Sequence, residues 1–332
     1  MERLTDIHGR NLAYLRVSLT DACNFRCLYC LPDRHPNRQP SGDPFEDQSL
    51  SIMEIENLVA GFSRLGFRKI RLTGGEPTLR GDLVDIVRKI ALVPAIQTVA
   101  LTTNGHRLAE LAAPLREAGL TAINISLDSL NPRQFARITG SRDFERIHQG
   151  IQTALRVGIE HVKVNVLLLR NFISAELDAF FEWVRETPVH VRFIELMQTR
   201  DNSPFFHSEY LPGDDLLARL EGHGWAERMR GPLDGPAREF THPGFAGRLG
   251  IISPYSHPFC KECNRLRISS RGKLKLCLFG GGEYSLRHLL QSPDRQEELI
   301  QTVFSLMKDK QLSHMLHEGI WGSTRHLAGI GG

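Results

Sequence analysis

The sequence predicts an α/β protein: a curved, partly closed, TIM-like barrel of six β/α units, a partial (β/α)6 barrel, followed by a C-terminal extension. Three observations carry this. Strand-like and helix-like segments alternate through the first two-thirds of the chain, which implies a parallel sheet with helices outside. One face of these strands is polar strand after strand, whereas a doubly wound sheet, covered by helices on both sides, is apolar on both. The stretches richest in glycine, cysteine and polar residues fall at the C-terminal ends of the strands, the edge where β/α barrels build their sites.

Strands are expected at residues 15–20, 69–73, 98–103, 122–128, 161–168 and 189–196. Helices are expected at 51–65, 82–92, 107–118, 143–157 and 175–186. Ser51-Ile52-Met53-Glu54 has the form of a capping box, and Gly119 and Gly158 stand where helices end. Side chains alternate faces along a strand. Leu15, Val17 and Leu19 therefore oppose Arg16, Ser18 and Thr20, and Ile70 and Leu72 oppose Arg71 and Thr73. Ile123, Ile125 and Leu127 oppose Asn124, Ser126 and Asp128, and Val162, Val164 and Val166 oppose Lys163 and Asn165. The sixth strand is awkward. Arg192 has one parity, Glu195 and Met197 the other, so a bulge is needed for all of them to face inward.

Residues 32–49 are long for a loop and read equally well as a lid or an insertion. Residues 200–246 are rich in proline and glycine and read as a crossing segment with one short helix at 213–222. The division falls at 1–200, the barrel, and 201–332, the extension. In the extension, 247–252 is strand-like, and 265–269 and 273–277 flank a Ser270-Arg271-Gly272 turn. Helices are expected at 285–291 and 293–309. The chain stops at Gly331-Gly332, too flexible by propensity to be a structural ending.

The 332 residues can bury a large core, with 41% of them hydrophobic. The formal net charge of +3 gives no case for nucleic acid or a membrane surface, though a local basic site for a small anion fits it. No stretch approaches the ~20 apolar residues of a membrane span, and Met1 to Asp6 lacks signal-peptide architecture. The expected home is a reducing cytoplasm, where disulfides are rare.

All six cysteines fall into two groups of three. Cys23, Cys27 and Cys30 form C-x3-C-x2-C just after the first strand. Cys260, Cys263 and Cys277 form C-x2-C-x13-C, closing on the far end of the hairpin. Thiolate is the soft ligand that iron–sulfur clusters and zinc prefer. A four-iron cluster normally takes four cysteines, so three leave one iron open to a small molecule. The alternatives are zinc sites. Zinc usually shows paired C-x2-C units, which suits the first triad poorly. At the second triad zinc could recruit His257 to give Cys3His.

The first triad, with Tyr29 just before its last cysteine, resembles the radical S-adenosylmethionine (SAM) superfamily. Gly74-Gly75-Glu76-Pro77, Thr102-Thr103-Asn104-Gly105, Ser126-Leu127-Asp128, Lys163-Val164-Asn165, Arg192-Phe193-Ile194-Glu195, the second triad with Asn264-Arg265-Leu266-Arg267, and the terminal Gly-Gly then follow in order. Together they are similar to the molybdenum cofactor biosynthesis protein A family of GTP 3′,8-cyclases. The resemblance implies two [4Fe–4S] clusters, each held by three cysteines, with SAM on the open iron of the first. It implies one-electron cleavage of SAM to methionine and a 5′-deoxyadenosyl radical, removal of the ribose 3′ hydrogen of GTP, and attack of the new radical on C8 of guanine. The product is (8S)-3′,8-cyclo-7,8-dihydroguanosine 5′-triphosphate, which the next enzyme of the pathway converts to cyclic pyranopterin monophosphate. An electron donor is implied; a homodimer is left open.

Under that scheme Gly74 and Gly75 let SAM approach the main chain, Tyr29 offers its backbone or ring, Ser126 hydrogen-bonds SAM, and Met197 lies along the adenine. Arg16, Arg71, Lys163 and Arg192 are cations on strands expected to be buried. Unpaired buried cations are costly, so a polyanion between them is expected, with ion pairs to Glu195 and Asp128 as the alternative. Thr102 is a hydrogen-bonding candidate at the same rim. Arg265 and Arg267, with Leu266 between them, join the substrate site, and the two arginines together with Gly331 and Gly332 are the expected catalytic contributors. Two rivals remain: a radical SAM enzyme that matures peptides, and a zinc-stapled binding module without catalysis.

Overall fold

The computed structural model describes residues 3–30, 48–173, 176–256, 259–324 and 327. The expected 32–49 loop, His257 and the Gly331-Gly332 tail lie wholly or almost wholly outside them. Strands and helices alternate as β1 (Tyr14–Ser18), α1 (Ile52–Arg64), β2 (Lys69–Thr73), α2 (Leu83–Ala91), β3 (Thr98–Thr103), α3 (Leu108–Glu117), β4 (Ala122–Ser126), α4 (Pro132–Thr139), α5 (Phe144–Arg156), β5 (His161–Leu168), α6 (Arg170–Ile173), α7 (Leu177–Glu186) and β6 (His190–Glu195). Strands β1 to β6 lie side by side in chain order and all pair in parallel. Their outward residues, such as Leu15, Ile70, Ile123, Val164 and Phe193, are fully buried in one continuous core. Helix α1 covers part of that face with Ile55, Leu58, Val59 and Phe62, and Ser51 and Glu54 close its capping box. Gly119 and Gly158 end α3 and α5 with φ of 103° and 75°.

Helix α4 departs from the expectation, which placed nothing there. Asn131 caps it by accepting from the N–H groups of Arg133 and Gln134, and Pro132 occupies its first turn. Proline is favoured there because its missing N–H has no intrahelical partner to lose.

The last third is more strand-rich than expected. It contains α8 (Ser203–Glu209), α9 (Asp214–Gly222), β7 (Ala226–Arg228), β8 (Arg238–Thr241), β9 (Arg248–Ile252), β10 (Arg265–Ile268), β11 (Lys273–Lys275), β12 (Tyr284–Ser285) and α10 (Gln296–Leu306). The helix expected at 285–291 is a short 3-10 turn, Arg287–Leu290, and the one at 293–309 is α only over α10. Pro293 starts a separate 3-10 turn, capped by Ser292. Strand β10 pairs in parallel with β1, and β9 in parallel with β6. The extension thus covers both edges of the six-stranded sheet, whose N–H and C=O groups would otherwise stand open. Strands β11 and β12, and β8 and β7, continue outward as antiparallel neighbours.

Strand β6 needs no bulge. Arg192 and Ile194 face inward, while Glu195 turns the other way and accepts the Gly213 N–H at 2.8 Å. The strand ends at Glu195, so Met197 reaches the interior from the loop beyond. No helix among the described residues is long and apolar enough to cross a membrane.

Candidate active site between two cysteine triads

Inward-facing residues of β1 to β6 and of β10 line two adjoining cavities, of about 170 and 110 Å³, whose walls share Thr102, Asn165, Ile194 and Met197. Strands so far apart in the sheet can share a wall only because the sheet curls around it.

The first cavity holds Cys23, Cys27 and Cys30. Their turn is fastened to the end of α4: the N–H of Arg26 donates to the Thr139 carbonyl at 2.9 Å, and that of Leu28 to Ile138 at 3.0 Å. The Arg26 guanidinium holds the turn from within, donating to the carbonyls of Cys23 and Phe25 at 2.7 and 2.9 Å. Glu76 ties the neighbouring strand ends together. Its carboxylate accepts from the Thr103 hydroxyl, the Thr78 hydroxyl and the Asn104 N–H, each at 2.6 Å, and from the Thr78 N–H at 2.9 Å. Burial pushes its pKa up in spite of these donors. Asn104 passes the link on to Asn24 in the cysteine turn at 2.8 Å.

Gly74 and Gly75 line this cavity, but their own chain dictates the residue type. A Cβ on Gly75 would stand 2.1 Å from the Ala22 carbonyl oxygen, and one on Gly74 2.4 Å from that of Thr20. Gly74 also has φ of 136°. The Cβ direction therefore points at the strand-to-turn connection and not at the cavity. Tyr29 donates its hydroxyl to Asp128 at 2.8 Å. Ser126 and Met197 also line the cavity, and so does Leu327, near the chain end.

The second cavity is cationic. Arg16, Lys69, Arg71, Lys163, Arg192, Arg265 and Arg267 all line it. The sheet register sets Arg267, Arg16 and Arg71 side by side across β10, β1 and β2, with Arg265, Tyr14 and Lys69 as the adjacent row. Neighbouring strands are about 4.8 Å apart, so the rows are crowded with like charge. Burial lowers the pKa of Arg16 to about 9 and that of Arg192 to about 10. Burial and Arg192 lower Lys163 to about 8.

Glu195 and Asp128 are not the counter-ions: Glu195 caps Gly213, and Asp128 accepts from Tyr29 and the Leu167 N–H. Lys163 pairs instead with Glu239 at 3.2 Å. Arg192 donates to Asn165 at 2.7 Å, and Arg71 to Tyr14 and Thr102. Burial raises the pKa of Tyr14, but Arg71, Arg16 and Lys69 outweigh it and bring the phenol to about 7. The Nε of Arg267 and the Oδ1 of Asn124 are buried with no hydrogen-bond partner among the described residues.

Cys260, Cys263 and Cys277 close the far end of this cavity. Burial raises Cys263, but Arg265, Lys310 and Arg267 overcome it and pull the thiol down to about 6. The guanidinium of Arg265 also lies 5.3 Å from the Phe259 ring centre. Leu266 stands between these two arginines. It is fully buried in the core on the opposite face, because it alternates with Arg265 and Arg267, so only its main chain can meet a ligand.

The arrangement fits a cluster at each triad. All six cysteines are free thiols, and each triad opens on a cavity. In the first, burial raises Cys27 and Cys30, the latter to about 12, with nearby Asp128 adding to the effect. A bound cationic core inverts that preference and holds such thiols deprotonated. Among the described residues no three thiol, imidazole or carboxyl groups converge on one metal ion; in a cubane each thiolate bonds its own iron.

Tyr14, Lys69, Asn124 and Asn165 are absent from the expected site residues. Lys69 and Tyr14 share the parity of Arg71 and Arg16, which is the signal that finds them.

A family model described as Radical SAM superfamily matches residues 17–184, and one described as Molybdenum Cofactor Synthesis C matches residues 189–316. The GTP 3′,8-cyclase of Vibrio parahaemolyticus is 46% identical over 331 residues, covering 100% of this chain and 98% of its own. That of Aeromonas hydrophila is 48% identical, covering 100% and 97%, and that of Synechococcus elongatus 48%, covering 99% of each. The structure of Streptococcus suis SuiB bound to S-adenosylmethionine aligns with a TM-score of 0.58 at 11% identity, over 96% of this chain and 75% of that one, a likeness of fold.

Proposed function

The chain belongs to the GTP 3′,8-cyclase family of the radical SAM superfamily, and on that premise we propose how its residues divide the work. The reaction converts GTP to (8S)-3′,8-cyclo-7,8-dihydroguanosine 5′-triphosphate, the first step of molybdenum cofactor biosynthesis. Cys23, Cys27 and Cys30 hold one [4Fe–4S] cluster, with SAM on its open iron, and Cys260, Cys263 and Cys277 hold the other. These groups, when bound, supply the one-electron chemistry; the chain orients, neutralises and excludes water.

The observation that carries the reading is the row Arg267, Arg16 and Arg71 beside Lys69, Lys163 and Arg192. Seven cations line this cavity, Glu239 pairs with Lys163, and holding so many buried like charges side by side costs several kcal/mol until a polyanion joins them. GTP brings about four negative charges, which match the surplus. Its triphosphate therefore lies among Arg16, Lys69, Arg71, Lys163 and Arg192. Arg265 and Arg267 bridge phosphates and the base end, next to the second triad. Thr102 and Asn165, in the wall common to both cavities, face the ribose, where the 3′ hydrogen must meet the SAM side. The main chain at Gly74 and Gly75, with Tyr29 and Ser126, receives SAM, and Met197 lies along its adenine. The tail carrying Leu327 leads on to Gly331 and Gly332, which contribute from its end.

The division at residue 200, a cytoplasmic home, an external electron donor, hand-over to the enzyme that forms cyclic pyranopterin monophosphate, and a homodimeric state belong to the same proposed reading; it includes neither nucleic acid nor membrane. Iron and sulfide analysis of anaerobically reconstituted protein tests it. About eight irons per chain are expected, half of them lost in Cys27→Ser and the other half in Cys277→Ser. Zinc in place of iron at either triad contradicts the reading.

A further inference from the structure

Two lysines are buried beside Cys277, each only 2% exposed, and they are provided for differently. Lys275 has a carboxylate, Glu283, at 3.1 Å. Among the described residues Lys310 pairs with none. Its Nζ donates to the Leu276 carbonyl at 2.5 Å, which leaves further N–H groups of the ammonium to satisfy. That carbonyl immediately precedes Cys277. The negative groups acting on Lys310 are the sulfurs of Cys263 and Cys277, while Arg10 and Arg267 repel it.

The placement is enforced. The N-terminal turn clamps the segment: His8 Nε2 meets the Lys310 carbonyl at 3.0 Å, and Arg10, paired with Asp6 at 2.6 Å, donates to the carbonyls of Gln311 and Leu312 at 2.7 Å and of Cys260 at 3.0 Å. One turn thus fastens the end of the 3-10 turn Met307–Asp309, where Lys310 sits, and a cysteine of the triad to each other. A buried ammonium acted on by two sulfurs, with no ion-paired carboxylate among the described residues, is strongly unfavourable unless those sulfurs carry charge.

We infer that Lys310 is the counter-charge of the iron–sulfur group at the second triad, a positioning residue that directs N–H toward its sulfurs and raises its reduction potential. The inference rests on the cluster reading of that triad. Reduction adds one electron to a centre already bearing three thiolates, and a fixed cation and N–H donors at the sulfurs favour the reduced form.

The test uses the full chain carrying Cys27→Ser, so that iron sits at the second triad only, and follows the reduced cluster's magnetic resonance through a potentiometric titration. Lys310→Met is expected to lower the reduction equilibrium about tenfold, about 59 mV for one electron, at unchanged iron content, while Lys310→Arg keeps the parent value. If Lys310→Met fails to hold iron and Lys310→Arg holds it, the charge is again shown to be the cause. Equal potentials in parent and Lys310→Met overturn the inference, and so do equal losses of potential or of iron in the Met and Arg variants. A parent protein that takes up no iron at this triad defeats the cluster reading itself, a result distinct from any of these.

Discussion

The hydroxyl of Tyr29 lies 2.8 Å from Oδ2 of Asp128, which joins the cysteine turn to the C-terminal end of β4. Burial pushes the Asp128 carboxyl up to about 6, against donors from Leu167 and Tyr29. A carboxyl whose folded pKa exceeds its unfolded value contributes stability at low pH, lost as pH rises through the folded value. Apoprotein stability is therefore expected to fall by roughly 2 kcal/mol between pH 4 and pH 6, and by roughly 3 kcal/mol in all from pH 3 to pH 7, on account of this group. Asp128→Asn removes that fall and leaves the apoprotein more stable than the parent at pH 7. Urea unfolding across this range checks it; parallel curves for the two proteins contradict it.

Tyr14 stands in register between Arg265 and Lys69, and Arg71 donates to its hydroxyl. As its phenol ionises near pH 7, the phosphate pocket loses one unit of positive charge. GTP affinity of the parent is expected to weaken several-fold between pH 6.5 and 8.5, about 1 kcal/mol. In Tyr14→Phe the dependence flattens. Equilibrium binding at the two pH values decides; an unchanged pH profile in Tyr14→Phe rules the idea out.

Arg265 and Arg267 are 8% and 6% exposed and sit among like charges. Replacing both with alanine relieves repulsion in the empty protein but removes contacts to substrate. The melting temperature is expected to hold or rise, while kcat/KM for GTP drops about a hundredfold or more. Unaltered turnover makes these arginines irrelevant to the reaction, and a collapse in melting temperature makes them structural.

Glu76 accepts four donors through two oxygens. In Glu76→Gln one oxygen becomes an NH2 that must face an N–H or O–H already pointing at it. A loss of about 1–3 kcal/mol is expected, with weaker SAM binding because the ends of β2 and β3 lose their common anchor. Wild-type stability in Glu76→Gln contradicts the role given to this network.

Much of the barrel was legible because each strand obeys one local rule. The alternation in Lys69–Thr73 and His161–Leu168 sorts side chains between core and cavity, and those strands lie where the pattern puts them. Starting the first strand at residue 15 hid Tyr14, although its parity is that of Arg16. Helix α4 was missed because it is only eight residues long and polar on average, yet Asn131-Pro132 carries a cap and a first-turn proline that mark its start. The pairing of β10 with β1 and of β9 with β6 has no local signal: which distant segment covers a sheet edge depends on the whole chain. The partners of the cations were beyond reach for the same reason. Glu239 meets Lys163 across 76 positions of sequence, and no periodicity points to it. The glycines at 74 and 75 were legible as a special site, but what they accommodate, the Thr20 to Ala22 main chain, appears only in three dimensions.

The central claim is that GTP lies between two three-cysteine clusters and is cyclised there. Its most direct test is product analysis after anaerobic incubation of the reconstituted protein with SAM, a reductant and GTP. The account predicts 5′-deoxyadenosine, methionine and the 3′,8-cyclised nucleotide, with the nucleotide product lost in Cys277→Ser and all three lost in Cys27→Ser. SAM cleavage that leaves GTP intact, or full cyclisation by Cys277→Ser, would contradict it.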